Sequence, residues 1–214
     1  MIDYEFYETP TPFSNWLFDE IDVRGLVCEP CVGSRAIVEA RWPPNGVNWF
    51  TNDLDPRWPA DVHKDARDRT LWEAHAFDWT VSNPPFTPAV EILDRAIEFS
   101  RVGVAMQLRA SIHEVLKTGI RRTWMREHTP TGILWLPRFA YQRSKTKGEW
   151  STDSVTACWV VWLKDPAAPQ FIKYAPESVL DELKAFTPAY RRRMDALMLE
   201  IDPVGYAQLL RKAA

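Results

Sequence analysis

The chain is expected to fold as one open α/β sheet of seven mixed strands, the last of them antiparallel, with helices on both faces. Three observations predict this. Strand-like and helix-like segments alternate through the first three-quarters of the 214 residues, the pattern of parallel crossover units. The early strand-like segments end in polar residues, namely Glu29, Asp53, Asp65 and Asn83. Late in the chain two strand-like segments follow one another with no helix between them, which makes an antiparallel pair.

Residues 25–29 are a short apolar strand closed by an acid. Residues 34–41 carry a helical pattern that stops before Pro43-Pro44-Asn45-Gly46, a strong breaker. A second strand spans 47–52, followed by Asp53 and Asp55, and a very short third spans 62–65. Pro56 and Pro59 leave the helix after Asp55 missing or displaced. Residues 77–82 are the fourth strand. Val90, Leu93 and Ile97 then recur at helical spacing over 88–100, with Thr87 as N-cap and Pro88 at the first helical position. A fifth strand over 102–106 and a helix over 114–127 follow. Residues 132–137 and 155–163 form the last pair. The loop of residues 140–153 that joins them is polar and basic, and longer than a hairpin connection needs. From Pro176 the chain is helical, and Pro188 and Pro203 divide it into two or three short helices. These helices are expected to cover a sheet face; a basic recognition helix carrying Arg191, Arg192 and Arg193 is the alternative.

Composition bounds the function. With 46% hydrophobic and 26% charged residues the chain is globular and not disordered. No apolar run approaches the roughly 20 residues that span a bilayer, and Met1-Ile2-Asp3-Tyr4-Glu5 does not read as a leader. A cytoplasmic protein with no membrane partner is expected. Three cysteines fit a reducing compartment. Cys28 and Cys31 form a C-x-x-C with no second pair, and His113-Glu114 lacks a second histidine, so no metal is expected. The net charge of −3 argues against a broadly basic surface. Local concentrations at Arg121, Arg122 and Arg126, at Arg138, Arg143, Lys145 and Lys147, and at Arg191–Arg193 still suit phosphate contact.

The most informative residues are Ser82-Asn83-Pro84-Pro85-Phe86. Two successive prolines fix φ and remove two backbone donors, so the carbonyls of Asn83 and Pro84 are not absorbed into a continuing ladder. The result is a rigid, acceptor-rich loop beside a flat ring, suited to gripping a planar amine. A plain strand-to-helix turn would use the same residues. Position favours the clamp: ligands of open parallel sheets bind beyond the carboxyl ends of the strands, where Glu29, Gly33, Asp53, Asp65 and Asn83 all fall. Only Gly33 stands after the first strand, so a pyrophosphate site is disfavoured against a cofactor without phosphates.

With these motifs in order, the chain resembles the S-adenosylmethionine-dependent DNA N6-adenine methyltransferases, particularly the small phage-associated forms, over about residues 8–163. Tyr7-Glu8-Thr9-Pro10 resembles the N-terminal Thr-Pro motif, Glu29-Pro30-Cys31-Val32-Gly33 the first cofactor motif, and Asp53-Leu54-Asp55-Pro56 the ribose-binding acid. Asp65 resembles the acid near the cofactor's adenine, and Asn83-Pro84-Pro85-Phe86 the catalytic motif. The resemblance implies a class I methyltransferase fold of Rossmann-like type, with a catalytic domain over 1–165 and a helical extension over 166–214 packed on it. It implies cofactor contacts from Thr9, Glu29, Pro30, Gly33, Asp53, Asp65 and Asn83, and catalysis by Asn83, Pro84 and Phe86 on a base rotated out of the stack. Substrate contacts are expected from Pro85, Phe86, Arg138, Arg143, Lys145 and Lys147. The implied partner is DNA, with short or relaxed sequence specificity because no large target-recognition segment exists. RNA adenine, protein glutamine, or a non-catalytic nucleic-acid-binding role are the alternatives. Asn83, rather than Ser, favours adenine over cytosine. Arg35 stands where many relatives have a second glycine.

Overall fold

The computed structural model describes residues 7–40, 46–113, 121–144, 147–150 and 156–213. Seven strands form one sheet: β1 (Gly25–Glu29), β2 (Val47–Thr51), β3 (Trp79–Ser82), β4 (Gly103–Arg109), β5 (Gly132–Trp135), β6 (Ala157–Leu163) and β7 (Phe171–Tyr174). Their order is β2-β1-β3-β4-β6-β5-β7. Neighbours are parallel except at β6, which runs antiparallel to both β4 and β5. The helices are α1 (Thr11–Glu20), α2 (Arg69–Glu73), α3 (Ala89–Phe99), α4 (Arg121–Glu127), α5 (Glu177–Ile201) and α6 (Pro203–Ala213).

Strand side chains alternate between faces, and the central strands are buried on both. Val27, Trp79, Val81, Ala105, Trp159 and Val161 face one layer, where α1 and α5 supply Phe13, Trp16, Leu17, Leu183, Tyr190 and Met194. Cys28, Val104, Met106, Cys158, Val160 and Trp162 face the other, against Leu71 and Trp72 of α2, Val90 and Leu93 of α3, and Trp124 of α4. Continuous apolar runs such as Cys158-Trp159-Val160-Val161-Trp162 are what a doubly covered strand requires.

Several sequence expectations are corrected. Residues 34–40 form turns, not a helix. Gly33 (φ 49°) and Arg35 (φ 67°) both take the left-handed conformation, which no helix continues through. Arg35 thus adopts a backbone shape that favours glycine. Substituting Arg35 with valine, whose branched side chain resists that region, is expected to lower stability by about 1–2 kcal/mol. Arg35→Gly is expected to stay near wild type, and urea unfolding of the two variants checks the contrast.

Residues 62–65 contribute only an isolated bridge between Val62 and Asn52. The seventh strand is instead β7, a short edge strand between prolines whose Ile172 and Tyr174 are exposed. The antiparallel member is therefore β6, inside the sheet, and not the last strand. Pro188 does not break the C-terminal segment, because α5 runs 25 residues through it. The Thr187 hydroxyl donates to the Leu183 carbonyl (2.6 Å) in the turn before the proline. Burial of Leu183, Tyr190 and Met194 on either side holds the helix together against its local propensity. The cap of α3 is Pro88, one residue later than expected. Helix α1 was absent from the sequence reading, and residues 114–120 of the expected 114–127 helix lie outside the described residues.

Candidate functional site

β1 lies between β2 and β3, so the chain leaves β1 toward one side of the sheet and returns on the other. The crevice at such a reversal, beyond the carboxyl ends of the strands, is where open α/β sheets bind ligands. A cavity of about 1080 Å³ opens there. Among the expected cofactor residues Thr9, Pro30, Gly33, Asp53, Asp65 and Asn83 line it, and so do Pro85 and Arg143 from the expected substrate set. Glu29, Pro84, Phe86, Arg138 and Lys147 do not line it, and Lys145 lies outside the described residues.

The loop after β1 is held from two sides. The Asp53 carboxylate accepts the Gly33 N–H (2.8 Å) and the Asp55 N–H (2.9 Å), tying β2's end to the glycine turn. Burial pushes the Asp53 carboxyl up, against the pull of these two N–H bonds. The Asn52 amide donates to the Pro30 and Lys64 carbonyls and accepts the Lys64 N–H, which fixes the wall beyond β2. Asp55 and Asp65 are each gripped by the arginine two residues on, Arg57 and Arg67. Hydrogen bonds from those guanidinium groups hold both carboxyls below the usual range.

Glu29 sits beneath the cavity floor, only 1% exposed. Its Oε1 accepts from the Ser82 hydroxyl (2.6 Å) and the Cys31 N–H (3.1 Å), while Oε2 is buried with no partner. Burial raises its carboxyl to about 8, with the Ser82 and Cys31 bonds acting in the opposite sense. Thr9 Oγ1 is likewise buried and unpartnered. Two orphaned polar atoms, one acidic and one hydroxylic, beside a glycine turn and a carboxylate fit a cationic, hydroxyl-bearing ligand.

Tyr7 and Glu8, just before α1, are tied down against these strand ends. Asn83 Nδ2 donates to the Tyr7 carbonyl (2.6 Å), Tyr190 donates to the Glu8 carbonyl (3.2 Å), and Ser34 donates to the buried Glu8 carboxylate. A carbonyl can only accept, so the amide end facing Tyr7 is the NH₂ and Oδ1 is turned the other way. Oδ1 has no partner among the described residues. Neither do the Asn83 and Pro84 carbonyls accept a backbone bond there. Among the described residues the loop is thus an unsatisfied acceptor set.

The Phe86 ring is covered: Tyr7 lies 5.1 Å away and the Arg109 guanidinium carbon 3.8 Å from the ring centroid. The basic residues are dispersed. Arg143 forms a two-point ion pair with Asp195 (2.8 Å to each oxygen) and donates to the Gly148 carbonyl. Arg193 pairs with Glu8, and Arg191 lies 5.5 Å over Trp150. Arg191 and Arg193 are thus engaged in contacts within the fold, while Arg192 is exposed. Arg138 and Lys147 are exposed.

Some of the site was not read from sequence. The far wall of the cavity comes from α5 and α6, through Met198, Tyr206, Gln208, Leu209 and Lys212. Tyr206 anchors it by donating to Asp195 (2.7 Å). β4 also continues three residues past the expected end of its strand, which sets Gln107 and Arg109 beside Tyr7 and Phe86. Among the described residues no cluster of three or more His, Cys, Asp or Glu side chains is placed to hold a metal ion, and no helix is long and apolar enough to cross a membrane.

No protein-family model matches the chain, and no curated protein matches it in sequence. Solved structures share its fold. The methyltransferase subunit of a type I restriction-modification system from Streptococcus thermophilus is 12% identical, with a TM-score of 0.56 over 85% of this chain and 53% of that one. A Listeria monocytogenes protein proposed to be a class I S-adenosylmethionine-dependent methyltransferase is 12% identical, with a TM-score of 0.56 over 86% of this chain and 71% of that one. A Pyrococcus horikoshii protein proposed to be an RNA methyltransferase is 16% identical, with a TM-score of 0.54 over 75% of this chain and 88% of that one. The chain spans about half the length of the restriction-modification subunits it matches. It has the Rossmann-like α/β fold of the class I methyltransferases.

Proposed function

We propose that the chain transfers a methyl group from S-adenosylmethionine to the exocyclic N6 amine of adenine in DNA, with short or relaxed sequence specificity. The observation that carries this reading is the Asn83-Pro84-Pro85-Phe86 loop at the cavity rim, its acceptors unsatisfied and its amide turned by Tyr7. S-adenosylmethionine supplies an electrophilic methyl group on a sulfonium. Thr9, Glu29, Pro30, Gly33 and Asp53 would hold it, Glu29 toward the ammonium and Asp53 toward the ribose hydroxyls, with Asp65 at the adenine side and Asn83 beside the sulfonium methyl. An exocyclic amine conjugated to a ring is a poor nucleophile. Asn83 Oδ1 and the Pro84 carbonyl would accept its two N–H bonds, favouring a tetrahedral nitrogen with its lone pair free. Positive charge develops on that nitrogen during transfer, and the same two acceptors stabilise it without reorganising. Pro85 and Phe86 would provide the apolar side of the base pocket.

Domain roles follow from the same reading. Residues 1–165 form the catalytic unit, and residues 166–214 complete the sheet with β7 and the cavity wall with α6. Arg138 and Lys147 are the proposed phosphate contacts. Substituting both with alanine is expected to weaken DNA binding and to lower the salt slope, log Kd against log salt, by about 2. An unchanged slope would remove them from the interface.

The deciding experiment incubates the protein with labelled S-adenosylmethionine and a panel of DNA, RNA and protein acceptors, followed by nucleoside digestion. Label in N6-methyladenine of DNA is the expected result. Label in RNA adenine would move the substrate, label only in protein glutamine would overturn the nucleic-acid reading, and DNA binding without transfer would indicate a non-catalytic module.

A further inference from the structure

β4 ends in two polar side chains that the proposed reaction does not use. Gln107 is 3% exposed, and its amide bonds the Tyr141 hydroxyl (3.0 Å) through Nε2 while Oε1 has no partner. A hydroxyl both donates and accepts, so turning the amide over would keep that bond and strand the NH₂ instead. Either way one end of a buried carboxamide is unmatched. Arg109 presents a second orphan: its Nε is buried without a partner while its guanidinium lies over Phe86.

Both residues, with Tyr7, Phe86, Leu108 and Tyr141, line one slot of about 20 Å³. A buried polar atom without a partner costs about 1–3 kcal/mol, and native interiors leave few of them. Two residues with orphaned polar atoms lining one slot among three aromatic rings mark a place for a ligand edge once the Arg109 guanidinium leaves the Phe86 ring. The guanidinium is flat, cationic and rich in N–H groups, and it stacks where a planar base would stack.

We propose that Gln107 and Arg109 read the edge of the acceptor base. Arg109 covers Phe86 until the base arrives, then leaves the ring face. Its N–H groups donate to a ring nitrogen flanking the reacting amine, and so does the Gln107 NH₂ once the amide is turned over so that Oε1 accepts from the Tyr141 hydroxyl. This rests on the amine-clamp reading of residues 83–86. It selects a heteroaromatic amine with an acceptor nitrogen beside the amine, as adenine has at N1 and N7, and not an aliphatic amide, which has no ring to displace Arg109 from Phe86.

The test compares wild type with Arg109→Ala, Arg109→Lys and Gln107→Leu on an oligonucleotide carrying adenine, 1-deazaadenine or 7-deazaadenine at its target. KM and kcat are measured for each, with the thermal midpoint and S-adenosylmethionine affinity as controls of the fold. In wild type one deaza replacement is expected to raise KM about tenfold to a hundredfold, the range of a lost edge contact. The variants are expected to show that raised KM already on adenine, and no further rise on the deaza base. Arg109→Lys keeps the charge but not the planar fork, so it should behave as Arg109→Ala. It also carries the comparison if Gln107→Leu does not fold. An unchanged KM and an unchanged deaza penalty in folded variants would overturn this inference and leave the amine clamp standing. Transfer by wild type to protein alone would overturn both.

Discussion

Asn83→Ala is expected to reduce methyl transfer to adenine by about 10²–10³-fold, the loss that follows removal of one preorganised group aimed at developing charge. The effect should fall on the rate of a single turnover and much less on cofactor affinity, since Thr9, Gly33 and Asp53 remain in place. The structural cost is one hydrogen bond, from Nδ2 to the Tyr7 carbonyl, on a half-buried residue. That bond is worth about 1 kcal/mol, so the fold should survive. Asn83→Asp separates the two functions of the amide. It keeps an acceptor toward the amine but sets a carboxylate against the Tyr7 carbonyl, which repels it. Its rate should therefore lie between wild type and alanine. Transfer by Asn83→Ala within a few-fold of wild type would remove this loop from the chemistry.

The acceptor-rich loop proposed as the clamp was legible in the sequence because its cause is local. Two prolines dictate an acceptor-rich loop wherever they stand, and the apolar run 77–82 fixed its position at a strand end. Glu29, Gly33 and Asp53 were legible for the same reason, each lying just past a short strand. The errors arose where long-range packing or one backbone angle decides. Residues 34–41 carry apolar residues at helical spacing, yet the left-handed Arg35 forbids the helix, and nothing in an arginine announces that φ. Pro188 was read as a break because local propensity disfavours it, while the sheet face beneath Tyr190 and Met194 holds α5 straight through. Phe13, Trp16 and Leu17 do recur at helical spacing, so the pattern that forms α1 is local too. The partner of Arg143 was not available: Asp195 lies 52 residues away and only the folded chain brings it there.

That folded arrangement also changes what the C-terminal helices are for. Covering the sheet is the work of α5, whose Val179, Leu183, Tyr190 and Met194 are buried with α1. α6 buries Tyr206 and turns Gln208, Leu209 and Lys212 toward the cavity. The tie from Tyr206 to Asp195, which is itself held by Arg143, couples this wall to the loop after β5. The cavity and the basic loop thus meet at this carboxylate, so substitutions at Asp195 are expected to disturb both.

Glu29→Gln is expected to flatten two pH dependences. The wild-type carboxyl is raised by burial to about 8 from an ordinary 4.5. Between those values the folded protein keeps a proton that the unfolded chain has released. Its contribution to stability is therefore complete below about pH 4.5 and is lost as pH rises toward 8, at a slope near 1 kcal/mol per pH unit. Glutamine is neutral throughout, and its carbonyl can still accept from Ser82 and Cys31. The difference in unfolding free energy between variant and wild type should thus move in the variant's favour from pH 5 to pH 8. Cofactor affinity should show the opposite trend in wild type. Pairing Glu29 with the cofactor's ammonium requires the carboxylate, so binding releases a proton and strengthens as pH rises toward about 8. Above that it weakens again as the α-amino group loses its own proton. In Glu29→Gln the affinity should fall about tenfold to a hundredfold, the worth of a buried charge-assisted bond, and lose its rise below pH 8. Calorimetric titration in buffers of different ionisation enthalpy counts the proton directly. If wild type releases none on binding, the orphaned Glu29 Oε2 is a structural feature of β1 and the ammonium is held elsewhere.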